Sequence, residues 1–538
     1  MAKYKAPLHP DAPLLLNDHP RPVTRRELIS QGFKAGVGTV IGGSLMSFLG
    51  SSRAFGAEVA LSTDIAAKRA ACGIASQGAG KIPFICFDLS GGANIAGSNV
   101  LIGQKGGQLD LLSAAGYNKQ GLPTDMTPAS ATTNFVDQSL GLAFHSDSAL
   151  LRGIKAKINA TTATKTNGAV IAARSENDTG NNPHNPMYGI NKAGANGSLL
   201  ALIGSRNSDS GGNSMSPASM INLEVRPTKI DNPNDVTGLV DVGDLVSLMS
   251  QEDTVAVMES TYRISDKKLS SVTPGTTRDA ALKEMMRCGY VKSADLAARF
   301  GDPSAIDPIA DSAIVGSNGI FSFAEFDDDS EFRKTASVMK LVVNGYAGAG
   351  TVQMGGFDYH TGDRSTGEQR DERAGRCIGA CLEYAARKGM PIMIYVFSDG
   401  SVFSNGMVDN SVMGRGKGVW TGDDQQTGSA FFLVYNPTKR PVLMDGTSSD
   451  PTTITSAQQL HQQIGYMRAS GDVETASSPA GNNVNLLVET VILNYMALHG
   501  QQGNFKTLFP NTGLGNSTML DKLTAFNPIF NGTIATPV

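Results

Sequence analysis

Residues 351–401 read TVQMGGFDYHTGDRSTGEQRDERAGRCIGACLEYAARKGMPIMIYVFSDGS and carry the pattern of a strand, a helix and a second strand. The two apolar runs stop at Asp358 and Asp399, as is typical of parallel strands that are buried on both faces. Between them, apolar residues recur at spacings of three and four from Ala374 to Ala385, which predicts an amphipathic helix over 366–388. A strand–helix–strand unit of this length forms a parallel pair with a right-handed crossover. The stretch therefore predicts an α/β protein.

The chain on both sides extends this pattern. KIPFICFDLSGG (81–92) is a third apolar run, which stops at Asp88, and SAFFLVYNP (429–437) reads as a further strand. We expect one α/β domain over 58–538, with a central, mostly parallel sheet flanked by helices. Helical spacing of apolar residues predicts four more helices, over 240–259, 278–300, 332–344 and 485–499.

Two segments depart from the strand and helix patterns. Residues 205–319 are rich in Gly, Ser, Asn and Pro around their two helix patterns, which predicts an insertion or cap on the sheet domain. The acidic cluster EFDDDSE (325–331) predicts a solvated loop. A calcium site is the alternative for this cluster, although the spacing of an EF-hand is absent.

The N-terminus has the features of an export signal. TRRELI (24–29) contains paired arginines, and an apolar run over 35–50 is shorter than the roughly 20 residues of a spanning helix. Small residues around 52–56 offer cleavage sites. We therefore expect a Tat signal peptide over 1–57, the Tat export machinery as a partner, a periplasmic or secreted protein, and no membrane span after cleavage. A buried N-terminal helix is the alternative.

Charge and cysteine content exclude some functions. The full chain has a net charge of −4, and the chain after residue 57 retains 38 basic and 46 acidic residues, which argues against a nucleic-acid partner. The chain has five cysteines and lacks a C-x-x-C motif. Cys86 lies in an apolar run and is expected to be a buried free thiol. Cys377 and Cys381 share a helix face, where they either pair or pack.

Acidic residues follow three of the predicted strands. Asp88, Asp358 with His360, and Asp399 each stand where an apolar run ends. Because the carboxyl ends of parallel strands meet at one edge of a sheet, we expect these four side chains to converge there. Carboxylates with one imidazole suit zinc, manganese, magnesium or calcium. For each Asp alone, turn formation or helix capping is the alternative, and for His360 it is a structural hydrogen bond.

One Gly-rich loop carries two cations. GRGKG (414–418) presents Arg415 and Lys417 in a flexible frame, which predicts anion binding; a plain loop is the alternative. The chain has neither a P-loop nor the G-x-S-x-G motif of a serine hydrolase.

Several of these motifs occur together in one known family. FDLSGGAN (87–94), GGFDYH (355–360), FSDGS (397–401) and an FP turn at 509–510 follow the Tat-type signal. The chain resembles, over 80–515, a family of Tat-exported bacterial proteins with an alkaline-phosphatase/sulfatase-like fold.

The resemblance implies a metal-centred site at the strand ends. By motif, Asp88 matches the acid of the first strand, Asp358 and His360 match the Asp-x-His ligands, and Asp399 matches the acid after the next core strand. Ser175, in RSEN (174–177), is the nearest match to the Arg-Ser-His segment of the family and is the implied nucleophile.

The chain departs from the family at three places. Glu176 stands where the family has His, Asn94 stands where an acid is common, and GRGKGVWTG replaces an Asp-His-Gly segment. Two functions follow. The first is a metal-dependent hydrolase of phosphate or sulfate esters, acting on an anionic small molecule or polymer. The second is a non-catalytic exported binding or assembly protein that retains the fold with a degenerate metal site.

Overall fold

The fold is given by a computed structural model that describes most of the chain after residue 58. The predicted signal peptide over 1–57 lies outside the described residues. Among the described residues, no helix is long and apolar enough to cross a membrane. The described residues are 59–72, 74, 80–128, 134–175, 183–205, 216–240, 250–273, 275, 277–300 and 303–530.

The chain divides into two compact units. The smaller comprises the described parts of Met1–Ile74 and Val240–Pro303, and the larger comprises those of Ala75–Leu239 and Ser304–Val538. The smaller unit includes only part of the predicted insertion over 205–319, from Val240 to Pro303. It also includes residues that precede the first strand.

The larger unit is built on an eight-stranded sheet with the order β12-β4-β11-β8-β1-β7-β5-β6. Every neighbouring pair is parallel except the pairs that β11 makes with β4 and β8. The predicted α/β class, with a mostly parallel central sheet flanked by helices, is confirmed. The described strands are β1 Phe84–Leu89, β2 Val136–Asp137, β3 Phe144–His145, β4 Thr166–Ala172, β5 Leu200–Gly204, β6 Thr228–Lys229, β7 Ala347–Met354, β8 Ile392–Phe397, β9 Val402–Asp409, β10 Lys417–Asp423, β11 Ser429–Tyr435 and β12 Gln463–Ile464.

The helices follow the apolar periodicity closely. The predictions over 278–300, 332–344, 366–388 and 485–499 are confirmed to within about two residues as α8, α10, α11 and α13, whereas the described part of the prediction over 240–259 is a helix that continues to Ser271. The described helices are α1 Thr63–Ala66, α2 Ala114–Lys119, α3 Ala149–Lys155, α4 Ala160–Thr164, α5 Met187–Lys192, α6 Pro233–Thr237, α7 Gln251–Ser271, α8 Asp279–Phe300, α9 Phe323–Asp328, α10 Ser330–Val343, α11 Ser365–Arg387, α12 Ser456–Gln462, α13 Val484–Leu498, α14 Phe505–Leu508 and α15 Ser517–Lys522.

Strand β1 lies between β8 and β7 and fixes the edge at which the site forms. All six of its residues are buried. Its register pairs Asp88 with Gln353 of β7 and with Phe397 of β8. The three strands therefore end at the same level, and the loops that follow them lie side by side, as the sequence predicts.

The acidic cluster at 325–331 is helical, so the predicted solvated loop is wrong. Ser322 and Glu325 form a capping box at the start of α9, and Asp329 caps the start of α10. These acids occupy the positions where helix starts favour a side-chain acceptor for free backbone N–H groups. They also form ion pairs inside the unit, between Glu325 and Lys157 and between Asp329 and Arg373.

The smaller unit pairs α7 with α8 around a small apolar core. A disulfide joins Cys72 to Cys288 across 216 positions of sequence. No sequence pattern indicated this pairing. Cys86, Cys377 and Cys381 are free and buried, which confirms the buried thiol at Cys86. Ile65, Val255, Met258, Tyr262, Val291 and Ala294 contribute to the core.

Candidate metal centre

Three potential metal ligands meet beside the end of β7. Nε2 of His360 lies 2.7 Å from Oδ1 of Asp358 and 3.6 Å from Oδ2 of Asp423. One ligand atom from each residue lies within 4.8 Å of the other two. The side chains are 63% (Asp358), 31% (His360) and 35% (Asp423) exposed. The cluster is thus a compact set of two carboxylates and one imidazole that is open on one side.

Asp423 reaches the cluster through the β9–β10 hairpin. It is the last residue of β10 and pairs with Val402 of β9. The same strand is joined to the loop after His360, because Gly362 donates a backbone hydrogen bond to Trp420 at 2.7 Å and Asp363 forms an isolated bridge with Trp420. The hairpin therefore holds Asp423 against the loop that carries the other two ligands.

Tyr359 anchors the loop between the two predicted ligands. Phe357 and Tyr359 are buried while Asp358 and His360 are not, so successive side chains alternate between the interior and the open side. The Tyr359 hydroxyl donates to Oδ1 of Asp371 at 3.0 Å and accepts from the backbone N–H of Asn94 at 2.8 Å. These bonds tie the ligand-bearing loop to α11 and to the first Gly-Gly loop.

Asp371 is a buried carboxyl in this anchor. Asn99 Nδ2 donates to its Oδ2 at 2.6 Å. Burial raises the pKa of Asp371 to about 7, and the hydrogen bond from Asn99 opposes this shift only in part. Burial, together with the charge of Asp371, raises the pKa of Tyr359 well above its usual value. Tyr359 therefore stays a neutral donor across the physiological range.

Gly91 brings two loop motifs of this chain, FDLSGG and GGFDYH, into contact. Its backbone N–H donates to Oδ1 of Asp399 at 2.7 Å. It has a φ of +125°, and a Cβ at this position would lie 2.5 Å from the backbone nitrogen of Asp358. Only glycine allows this approach.

Asp88 and Asp399 lie in the interior, and neither belongs to the exposed cluster. Both are fully buried, and Oδ2 of Asp88 accepts from the Ser90 hydroxyl at 2.9 Å. Among the described residues, Asp358 and His360 share a group of three or more close ligand atoms with Asp423 and with neither Asp88 nor Asp399. The structure thus divides the four predicted ligands into an exposed pair, completed by Asp423, and two buried acids.

His184 is a buried histidine near the end of β8 that the sequence did not single out. It is buried, and its ring lies 5.4 Å from the ring of Phe397 at the end of β8. Burial lowers the pKa of His184 to about 4, and the backbone of Ser398 offsets this shift only in part. The side chain is therefore neutral at pH 7. It stands in an Asn- and Pro-rich loop with no periodic pattern, so only the fold indicates its position.

Ser175, the predicted nucleophile, is buried just beyond the end of β4. Its hydroxyl lies 3.5 Å from the hydroxyl of Ser401. Among the described residues, no imidazole or carboxylate forms a hydrogen bond with this hydroxyl. A general base for Ser175 is therefore missing from the part of the chain that the structure describes.

The two predicted anion-binding cations have internal partners. Nε of Arg415 donates to Oδ2 of Asp147 at 3.0 Å. Lys417 is fully buried, and its Nζ lies 2.9 Å from Oε1 of Glu368 and donates to the backbone oxygen of Asp147 at 2.6 Å. The guanidinium of Arg364 lies 4.6 Å from the Trp420 ring and also pairs with Glu368. These charges hold the hairpin in place.

Gly91→Ala is expected to weaken metal binding at the cluster by at least about tenfold and to destabilise the fold by roughly 2–3 kcal/mol. The new methyl group would collide with the Asp358 backbone, and an alanine would be strained at this positive φ. Gly362→Ala is the matched control, since Gly362 also has positive φ (+86°) but nothing lies within 4 Å of its Cβ position. Metal titration and thermal unfolding of both variants test this. Equal metal affinity in the two variants would contradict the role given to the Gly91 contact.

The site thus consists of an exposed three-donor cluster, a buried Tyr359–Asp371 anchor and a Gly91 contact, all at the carboxyl edge of the sheet. Its donors come from the loop after β7 and from the β9–β10 hairpin. No protein-family model, curated protein or solved structure matches the chain.

Proposed function

We propose that the protein is an exported, divalent-metal-dependent hydrolase of phosphate or sulfate esters with an alkaline-phosphatase-like fold, and that Asp358, His360 and Asp423 hold its metal. The observation that carries the proposal is the convergence of these three donors within 4.8 Å at the carboxyl edge of the sheet. Catalytic metal sites commonly have three protein ligands and an open position. An imidazole with two carboxylates suits zinc or manganese.

The metal, the residues that position its ligands and the open side of the cluster would each have a separate role. A bound divalent cation would supply Lewis acidity toward an ester oxygen. Tyr359, held by Asp371 and Asn94, keeps Asp358 and His360 directed to the open side. The exposed faces of Asp358 and Asp423 leave room for an anionic ester to approach. No covalent step is assigned to Ser175, whose role as a nucleophile stays a prediction.

Export is part of the same proposal. The twin-arginine segment at 24–29 supports it. The Cys72–Cys288 disulfide is in keeping with an oxidising compartment, where such bonds persist. Fractionation of cells that express the full chain, with Arg25→Lys/Arg26→Lys as the comparison, would place the protein.

Metal content tests the site directly. We expect the purified protein to hold about one divalent metal per chain, and His360→Ala and Asp358→Asn to reduce this by at least about tenfold. Asp445→Asn is the matched control, because Asp445 is 65% exposed and also lies beside a histidine, at 3.0 Å from His461. Metal far below one per chain in the wild type, or equal loss in the control, would contradict the proposed centre.

A non-catalytic binding protein is the second candidate. Two observations favour it: the described chain offers Ser175 no base, and Asp147 and Glu368 neutralise Arg415 and Lys417. Assays with aryl phosphates and aryl sulfates separate the two candidates. Hydrolysis that is lost in His360→Ala supports the hydrolase, whereas stoichiometric metal without hydrolysis supports the binding protein.

A further inference from the structure

A small polar cavity lies beside Ser175, and its lining shares no residue with the metal centre. Its volume is about 320 Å³, and its lining includes Arg174, Ser175, Gln425, Asn482, Asn483 and Asn485. Strand β4, which leads into Arg174 and Ser175, runs in the same direction as β8, because both are antiparallel to β11. The cavity therefore opens at the carboxyl edge of the sheet, where α/β proteins bind ligands.

Arg174 fixes the orientation of two amides in this lining. Its Nη1 donates to Oδ1 of Asn482 at 2.9 Å, and its Nη2 donates to Oε1 of Gln425 at 3.1 Å. Both amide oxygens are thus used as acceptors for the guanidinium. The amide NH₂ groups of Asn482 and Gln425 remain as donors.

The lining has a surplus of donors. Nε of Arg174 is buried and has no hydrogen-bond partner within the described chain. The Oδ1 of Asn483 accepts a hydrogen bond from the backbone N–H of Leu486 at 3.1 Å, so its NH₂ group remains as a donor. None of the described lining residues is Asp or Glu, and among them Arg174 carries the one charge.

We infer that this cavity is an oxyanion site that binds the phosphate, sulfate or carboxylate group of a small molecule. A planar guanidinium with neighbouring amide donors matches the several oxygens of such a group, and the hydrogen bonds are strengthened by the opposite charges. The Ser175 hydroxyl adds one more polar group. The inference does not depend on the metal centre, because the two sites share no lining residue.

Calorimetric titration of the full chain with inorganic phosphate, sulfate and acetate, each in the presence of EDTA, tests the site. We expect saturable one-to-one binding of at least one of these anions, and the preferred anion identifies the ligand group. Arg174→Gln should weaken this binding at least tenfold. Gln425→Glu should do so as well, because it keeps an acceptor for Arg174 but replaces an NH₂ donor by a negative charge.

Two controls keep the outcomes distinct. Gln426→Glu adds the same charge one residue along, outside the lining, and should leave binding within about twofold of wild type. Asp358→Asn should also leave it unchanged. Absence of saturable binding by all three anions, unchanged binding in Gln425→Glu, or loss of binding in Asp358→Asn would each overturn the inference. If Arg174→Gln fails to fold, Gln425→Glu decides the question, because glutamate has nearly the same shape as glutamine.

Discussion

Glu368→Gln is expected to destabilise the protein by about 3–5 kcal/mol, the cost of removing one partner from a buried ion pair. Glu368 is almost fully buried and accepts from Arg364 at 2.7 Å and from Lys417 at 2.9 Å. Lys417 is itself fully buried. With a neutral amide at 368, two interior cations would face each other without their shared counter-ion. Urea denaturation at pH 7 measures the loss.

The protonation of Glu368 leads to the same expectation. Burial alone would raise its pKa, but the charges of Arg364 and Lys417 outweigh burial and hold the pKa at about 2. Because the folded pKa is depressed, the stability from this carboxylate is present above its unfolded pKa of roughly 4.3 and is lost as the pH falls toward 2. The wild type should therefore lose its advantage over Glu368→Gln in acid.

The neighbouring Glu372 provides the control. It lies one turn further along α11, is 37% exposed, and pairs with Arg152 at 3.5 Å and Arg376 at 3.7 Å. Exposed pairs of this kind contribute roughly 0–1 kcal/mol, so Glu372→Gln should change the free energy of unfolding by less than about 1 kcal/mol. The double variant Glu368→Gln/Lys417→Met should regain part of the loss. A cost below 1 kcal/mol for Glu368→Gln would show that water or other groups already compensate these charges.

This network explains why the GRGKG loop was hard to interpret from sequence. Two cations in a Gly-rich frame are typical of an anion site, and the local pattern contains nothing else. The partners of Lys417 lie 270 residues away at Asp147 and 49 residues away at Glu368. Burial of a lysine depends on contacts over such separations, which a local pattern does not report.

The parts of the fold that were predicted are those encoded locally. The buried runs of β1, β7 and β8 and the apolar stripe of α11 are visible within windows of six to twenty residues. Strand β11 was predicted, but its antiparallel direction was not, because direction follows from its pairing with β4 and β8, and β4 lies far earlier in the chain. Strand β4 (TNGAVIA) has a polar and flexible start, so its sequence lacks the uniform apolar run of its neighbours.

The site was predicted in part for the same reason. Asp358 and His360 follow β7 directly, so the rule for strand ends located them. Asp423 was missed because it reaches them through a hairpin whose position depends on contacts of Trp420. Asp88 was placed at the correct edge, but every residue of β1 is buried, so the sequence had no alternation to show that this side chain faces the interior.

Asp371→Asn is expected to remove part of the fall in stability between pH 5 and pH 8. Burial raises the folded pKa of Asp371 to about 7, above its unfolded value of roughly 3.9. Between these values the folded protein holds a proton that the unfolded chain releases, so the contribution to stability is full below about pH 4 and is lost as the pH rises through about 7. From pH 5 to pH 8 the loss amounts to roughly 2–3 kcal/mol.

The groups facing Asp371 are Asn99, Tyr359, Glu368 and Arg364. An amide at 371 does not ionise. Between pH 5 and pH 8 the free energy of unfolding of Asp371→Asn should therefore fall by roughly 2–3 kcal/mol less than that of the wild type. Glu372→Gln should follow the wild-type curve, and distant titrating groups cancel in the comparison because they are common to all three proteins. Parallel curves for Asp371→Asn and the wild type would mean that Asp371 is already ionised at pH 5. In that case the Tyr359 hydroxyl would donate to a full negative charge, and the loop carrying Asp358 and His360 would be held by an ionic anchor across the whole range.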